Sequence, residues 1–342
     1  MAEPRHDRPV ALVLGGGNAL GAYLAGAYES LHDAGVRPGW VVGASIGAVT
    51  GAILAGNPPD RRLARLRQFW EESALHTAAP PGTGASRPRV AYNGLHAAMA
   101  AMVTRPGIFR HRFPGLWSLL PWMPGDVALY DHSPLRRTLE RLVDFRLLNG
   151  GDTRLTVCCV DMETGEEVHF DTARQELGPE HILASTAIAP AFPPVEIGGR
   201  LLCDPGYVNN LPVALPFEEM GGDGPLCFAA ELFSLRGGRP GSLDSTLERS
   251  QDILFASHGR RAVDWLRREY AYRERLRPGA PVATLVHVAY RAAAHEVAAK
   301  GFDFSPGSIG DRWAAGRRDM GKGLALLAAE PAGKTGFAYL AP

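Results

Sequence analysis

Within its first 55 residues the chain passes twice through one local pattern: a short apolar stretch, a glycine turn, then a segment with helical spacing. Val10 to Leu14 runs into Gly15-Gly16-Gly17, and Trp40 to Val42 runs into Gly43-Ala44-Ser45-Ile46-Gly47. After the first turn Leu24, Ala27, Tyr28 and Leu31 recur at i, i+3, i+4 and i+7, one face of a helix that Gly35 ends. After the second, Ile46, Val49, Ile53 and Leu54 line a helix that stops at Gly56-Asn57-Pro58-Pro59. Strand, helix, strand, helix with short turns requires a parallel sheet with right-handed crossovers. The fold class is therefore α/β, with helices on the faces of a mainly parallel sheet.

Further along, Leu63, Leu66, Phe69 and Trp70 mark another helix, and Leu135, Leu139, Leu142 and Val143 one more. Residues 80–88, rich in Pro, Gly, Thr and Ser, read as a loop. Residues 108–127 carry Phe109, Phe113, Trp117, Leu119, Leu120, Trp122 and Met123 between prolines. Two readings fit that stretch, an irregular cover over the core or an apolar surface for a lipid cleft or membrane interface. Arg154 to Val160 with Glu167 to Phe170, and Val195 to Ile197 with Leu201 to Cys203 around Gly198-Gly199, read as two hairpins. Leu226 to Ala230 and Val282 to Ala289 add strands, separated by a charged helix over about 247–276. This divides the chain into a main α/β unit over 8–232, with 80–130 as a lid or insertion, and a C-terminal extension over 233–342 that packs on the same unit.

Lys and Arg together equal Asp and Glu, so the formal net charge is zero, which argues against binding nucleic acid through phosphates. The four cysteines lie in apolar, strand-like runs and read as reduced buried thiols, with Cys158 and Cys159 pointing to opposite strand faces. No Cys or His spacing calls for a metal. The start of the chain is polar, and no apolar stretch has the length of a membrane span, so a soluble cytoplasmic protein is the default.

Ser45 lies between two glycines at a strand-to-helix turn, the way a hydroxyl nucleophile is exposed on a strained elbow, with Gly43 and Gly47 leaving room for the sharp bend. The plain alternative is that Ser45 merely caps its helix. A glycine run before a helix leaves N–H groups that can hold developing negative charge. A serine also needs a base. His258, His287 and His295 follow Ser45, but no convincing acid precedes them in the order an α/β-hydrolase triad needs, and His287 sits in an apolar run. Asp204 closes a hairpin strand and opens the turn Asp204-Pro205-Gly206, before Asn209 and Asn210; it is either a base in a cleft or a turn cap. As a base it would need burial to raise its pKa. A dinucleotide fingerprint fails, because Leu20 and Asn18 stand where its glycines must be.

The segments LVLGGGNALGAYLAGAYESL and VVGASIGAVTGAILAG, followed later by ASTAIAPAFPPVEIGGRLLCDPGYVNNLP, resemble the signatures of patatin-like phospholipases, in the same order, over about 10–215. The tail, with Phe302-Asp303-Phe304-Ser305 and Arg312-Trp313, resembles an extension on a bacterial branch of that family. The resemblance implies a three-layer α/β/α fold with a C-terminal helical elaboration and a Ser45–Asp204 dyad without histidine. Gly206 would support the aspartate's turn. Backbone amides of Gly15, Gly16 and Gly17, helped by Ile46, would form the oxyanion hole. It also implies hydrolysis of a lipid or other acyl ester through an acyl-serine, with no cofactor or metal. Residues 108–127 offer peripheral membrane contact. An acyltransferase using the same dyad, or an inactive acyl-binding protein, is the alternative. The chain departs from the family at Asn18, where a further glycine is usual, at Leu20, where a cation is usual, and at Pro205, where a glycine is usual. If that last turn needs positive φ, proline would aim Asp204 differently.

Overall fold

A run as uniformly apolar as β1 (Val10–Leu14) has no face to offer water, and it lies in the middle of a sheet covered on both sides. The computed structural model describes residues 8–75, 86–105, 107–220, 224–279, 282–330 and 336–342. β1 pairs in parallel with β2 (Trp40–Ala44) on one side and with β9 (Leu226–Glu231) on the other. Beyond β9 the sheet continues, still parallel, through β10 (Ala283–Ala289) to β11 (Phe337–Leu340). Beyond β2 lies β5 (Arg154–Asp161), also parallel. Within this sheet the antiparallel pairs among the described residues lie on this flank, where β6 (Glu167–Asp171) runs against β5 and the hairpin of β7 (Val195–Ile197) and β8 (Arg200–Cys203) joins the end of β5. Among the described residues nine strands make this one mainly parallel sheet, and β3 (Arg110–His111) pairs separately with β4 (Tyr130–Asp131).

Side-chain alternation along the strands divides the core. Leu12, Leu14 and Cys159 face one apolar cluster, with α1 (Ala22–Asp33), α2 (Ile46–Ala55), α3 (Arg62–Ser73), α5 (Ser133–Leu142) and α7 (Pro179–Ser185). Ala11, Val13 and Cys158 face the other, covered by α8 (Leu215–Glu219) and α9 (Leu243–Leu276). Three layers result, as the resemblance implied, and the two cysteines do part to opposite faces; all four thiols are free. α2 is buried all round, not on one face only. α6 (Phe145–Gly150) connects to β5.

The extension adds β10 and β11 to the same sheet and sends α10 (Pro306–Ala328) across α1. The two helices touch backbone to backbone: a Cβ on Gly26 would come within 1.9 Å of the Trp313 carbonyl oxygen, and one on Gly316 within 1.9 Å of that of Tyr23. Only glycine at the crossing allows this approach.

Two expectations are corrected. The loop expected over 80–88 lies outside the described residues for 80–85, but α4 (Arg87–Val103) begins at Arg87, because Pro88 falls in its first turn, where no amide donor is needed. The charged helix starts at Leu243, where Ser242 caps it by accepting the Ser245 N–H. Residues 108–127 divide between the two readings: Ile108 and Phe109 are buried, the latter against Tyr130 and Phe192, whereas Phe113, Leu116, Trp117, Leu119 and Trp122 are each at least 60% exposed. Among the described residues no helix is long and apolar enough to cross a membrane.

Candidate active site

Ser45 is the single residue between β2 and α2, and it takes φ 56° and ψ −124°, a conformation that side-chain-bearing residues avoid. Such strain costs about 1–3 kcal/mol and persists only where the surroundings enforce it. Here they do so through close contact. A Cβ on Gly47 would lie 2.1 Å from the Leu14 carbonyl oxygen, and one on Gly43 2.5 Å from that of Gly47, so the two glycines let α2 start hard against the sheet. The Ser45 N–H donates to Ser185 Oγ at 2.9 Å, and that hydroxyl donates to the Cys158 carbonyl at 2.6 Å. The Ser45 side chain makes no capping bond to its own helix. The hydroxyl is thus not spent as a cap, and the plain alternative loses its ground.

Asp204 directly follows β8 and is buried, with its side chain beside the Ser45 hydroxyl. Oδ1 accepts the Gly206 N–H at 2.8 Å, whereas Oδ2 makes no hydrogen bond of good geometry. Burial drives the carboxyl up to about 6, against the Ser45 hydroxyl and the Gly206 N–H, which both favour the ionised form. Pro205 opens a 3₁₀ turn (Pro205–Tyr207), where its fixed φ suits the chain and its missing N–H is not needed. The turn contains no positive φ. Gly206 packs tightly here, since a Cβ on it would stand 3.0 Å from Asp204 Oδ1 and push on the carboxylate.

The glycine run divides by role. Gly15 donates its N–H to the Ala230 carbonyl at 3.0 Å and Gly16 to that of Asn210 at 3.2 Å, so neither amide is open to a ligand. The N–H groups of Gly17, Asn18 and Ile46 have no acceptor among the described residues. Gly16 instead gives close approach: a Cβ there would meet Asn210 Oδ1 at 2.5 Å and Ser45 Cβ at 2.9 Å. Asn18 has φ 52°, and asparagine is among the residues that tolerate this region best. Leu20 is fully buried.

Gly17, Asn18, Ser45 and Asp204 line one cavity of about 470 Å³ with mainly apolar walls. Among the described residues no histidine lines it, and His287 lies in β10 against Tyr339 and Glu231. The sequence reading missed two supports. Asn210 holds Gly16 from both sides, accepting its N–H and donating from Nδ2 to its carbonyl, and Ser185 fixes the elbow. Both stand inside the quoted second signature, where only Asp204 and Gly206 had been given roles. It also missed that Leu247, Phe255 and Phe302 of the extension form part of the wall. Nothing in their local pattern announces it.

A strained serine at the carboxyl end of a central parallel strand, beside a buried aspartate on the wall of an apolar cavity, defines the class: an α/β protein with a paired serine and aspartate and, among the described residues, no histidine lining that cavity. The chain belongs to the patatin-like phospholipase family, whose pattern matches residues 12–217; a second pattern, described as patatin phospholipase, matches 266–330. A patatin-like phospholipase domain-containing protein of Caenorhabditis elegans is 26% identical over 211 residues, 59% of this chain and 12% of that protein, so the chain spans only a small part of the relative it matches. Two solved structures resemble it over 94% of its length. VipD from Legionella pneumophila is matched over 67% of its own chain (14% identity, TM-score 0.47), and human GIVD cytosolic phospholipase A2 over 58% (15% identity, TM-score 0.38).

Proposed function

We propose that this protein is a serine acyl ester hydrolase acting on lipid or lipid-like esters through a Ser45–Asp204 dyad. The observation that carries the reading is a Ser45 hydroxyl unused by its helix, held on a strained elbow beside a buried, poorly satisfied carboxylate. With its pKa near 6, Asp204 is ionised at neutral pH yet basic enough to take the serine proton as Oγ attacks the ester carbonyl. The negative charge on the tetrahedral oxygen falls to the N–H groups of Gly17, Asn18 and Ile46, each such donor being worth about 10²–10³ in rate. Collapse expels the alcohol, which recovers the proton from Asp204 and leaves acyl-Ser45. Asp204 then deprotonates a water that attacks the acyl carbon, releasing the acid and freeing Ser45.

The apolar wall of Ile188, Phe233, Phe255 and Phe302 suits an acyl chain. Phe113, Leu116, Trp117, Leu119 and Trp122 are exposed, as are Leu95 and Met102 of α4, and large apolar side chains held out in this way suit a lipid interface. The test uses purified protein, p-nitrophenyl esters and a fluorophosphonate probe. Turnover and labelling at Ser45 are expected, and Ser45→Ala is to abolish both. Labelling that survives in the alanine variant places the nucleophile elsewhere and sinks the reading.

A further inference from the structure

The turn that carries the Gly17 and Asn18 amides is a short 3₁₀ segment (Asn18–Gly21), whose Leu20 N–H donates to the Gly17 carbonyl. Hydrogen-bond geometry in so short a 3₁₀ turn is poor, so what packs behind it helps to set its shape. That packing comes from the far end of the chain. Arg312 of α10 is fully buried, and its guanidinium spends all five N–H donors. Nε and Nη2 grip the Glu296 carboxylate at 2.9 and 2.7 Å. Nη1 reaches the carbonyls of Ala19 at 3.1 Å and Asp303 at 2.8 Å, and Nη2 that of Lys300 at 3.0 Å. Lys300 to Phe302 is itself a 3₁₀ turn, and Gly301 and Phe302 line the cavity. One planar cation therefore ties the oxyanion turn to the neighbouring wall of the site, where a Cβ on Gly301 would stand 3.8 Å from the Gly17 carbonyl oxygen. Glu296, which also accepts the Tyr290 hydroxyl, supplies the counter-charge that burial of the guanidinium requires.

We propose that Arg312 is a positioning residue for acyl transfer: by pinning Ala19 to Lys300 and Asp303, it aims the Gly17 and Asn18 amides at the tetrahedral oxygen. This rests on the hydrolase reading above. Lysine cannot replace it, because an ammonium has three donors and no planar fork.

The experiment compares wild type with R312K and E296Q, each active-site-titrated with a fluorophosphonate so that rates refer to folded sites. On a short p-nitrophenyl ester, kcat in R312K is expected to fall about ten- to a hundredfold with KM little changed, part of what losing one oxyanion donor costs. Affinity for a trifluoromethyl ketone, which forms an anionic adduct with the serine, should fall in step, while affinity for the matching methyl ketone should hold. A merely structural arginine would lower Tm and leave these ratios alone, and that outcome overturns the proposal. E296Q keeps the guanidinium but removes its charge partner, and a smaller loss of the same kind is expected. If R312K does not fold, wild-type kcat and ketone affinity in E296Q overturn it. Failure of Ser45 to label in wild type overturns the hydrolase reading, and this one with it; full labelling with unchanged R312K kinetics overturns this one alone.

Discussion

Replacing Asp204 by Asn should kill activity and at the same time make the protein more stable. The carboxyl is buried, and its pKa stands near 6 against an ordinary 3.8. At 1.36 kcal/mol per unit, holding it ionised costs the fold about 3 kcal/mol at neutral pH. The unfolded chain gives up this proton at lower pH than the folded one, so the penalty is absent below about pH 4, grows as pH rises to about 6, and is constant above. Asn has the shape of the protonated acid, and its Oδ1 still accepts the Gly206 N–H. With an unfolding entropy of about 2.1 cal/mol/K per residue, 3 kcal/mol corresponds to a Tm rise of roughly 4 °C at pH 8. Calorimetry of both proteins between pH 4 and pH 8 is the assay, alongside ester turnover, which in wild type should climb through pH 6 to a plateau. A D204N protein that is less stable at pH 8, or whose advantage is the same at pH 4, would refute the view of Asp204 as a base held ionised at the expense of the fold.

Pro205→Gly is expected to leave ester turnover no higher than wild type and to lower stability by about 0.4–1 kcal/mol, through the added freedom of the unfolded chain; a sharp rise in kcat would show that proline holds Asp204 off its target. Gly47→Ala should destabilise by about 3 kcal/mol, read by denaturant unfolding, since the added methyl meets the Leu14 carbonyl with no flexible side chain to yield. Trp117→Ser with Trp122→Ser should depress hydrolysis of vesicle-borne esters at least tenfold more than hydrolysis of a soluble short-chain ester. Equal losses would return that segment to a packing role.

The parallel sheet and the elbow were legible because they are local. β1, β2 and the helices after them each announce themselves within a dozen residues, and the glycines around Ser45 mark a bend that little else permits. Asp204 was legible only as a strand terminus; its burial, which gives it chemical force, comes from residues scattered along the chain. The oxyanion run was read as three equal glycines. Gly15 and Gly16 turned out to be consumed by Ala230 and Asn210, a partition that depends on strands and loops 200 residues away and so leaves no local trace. The helix at 87–103 was overlooked because Pro88 looks like a breaker until its place in the first turn is known. The extension was opaque for the same reason: the use of Arg312, Phe255 and Phe302 is set by what they meet, not by their neighbours in sequence.

The crossing of Gly26 over Gly316 bears on how this chain is born. The strand that leads to the glycine run is bracketed by β2 on one side and by β9 on the other, and the helix after it docks against α10. On the ribosome, the first forty residues emerge long before either late partner has been synthesised. Their apolar faces must wait, exposed, until β9 and α10 have been synthesised, so final closure is a late event dominated by contacts of high sequence separation, the kind that folds slowly. A nascent chain stalled just after β9 would be a sticky, unfinished sheet and a natural client for chaperones.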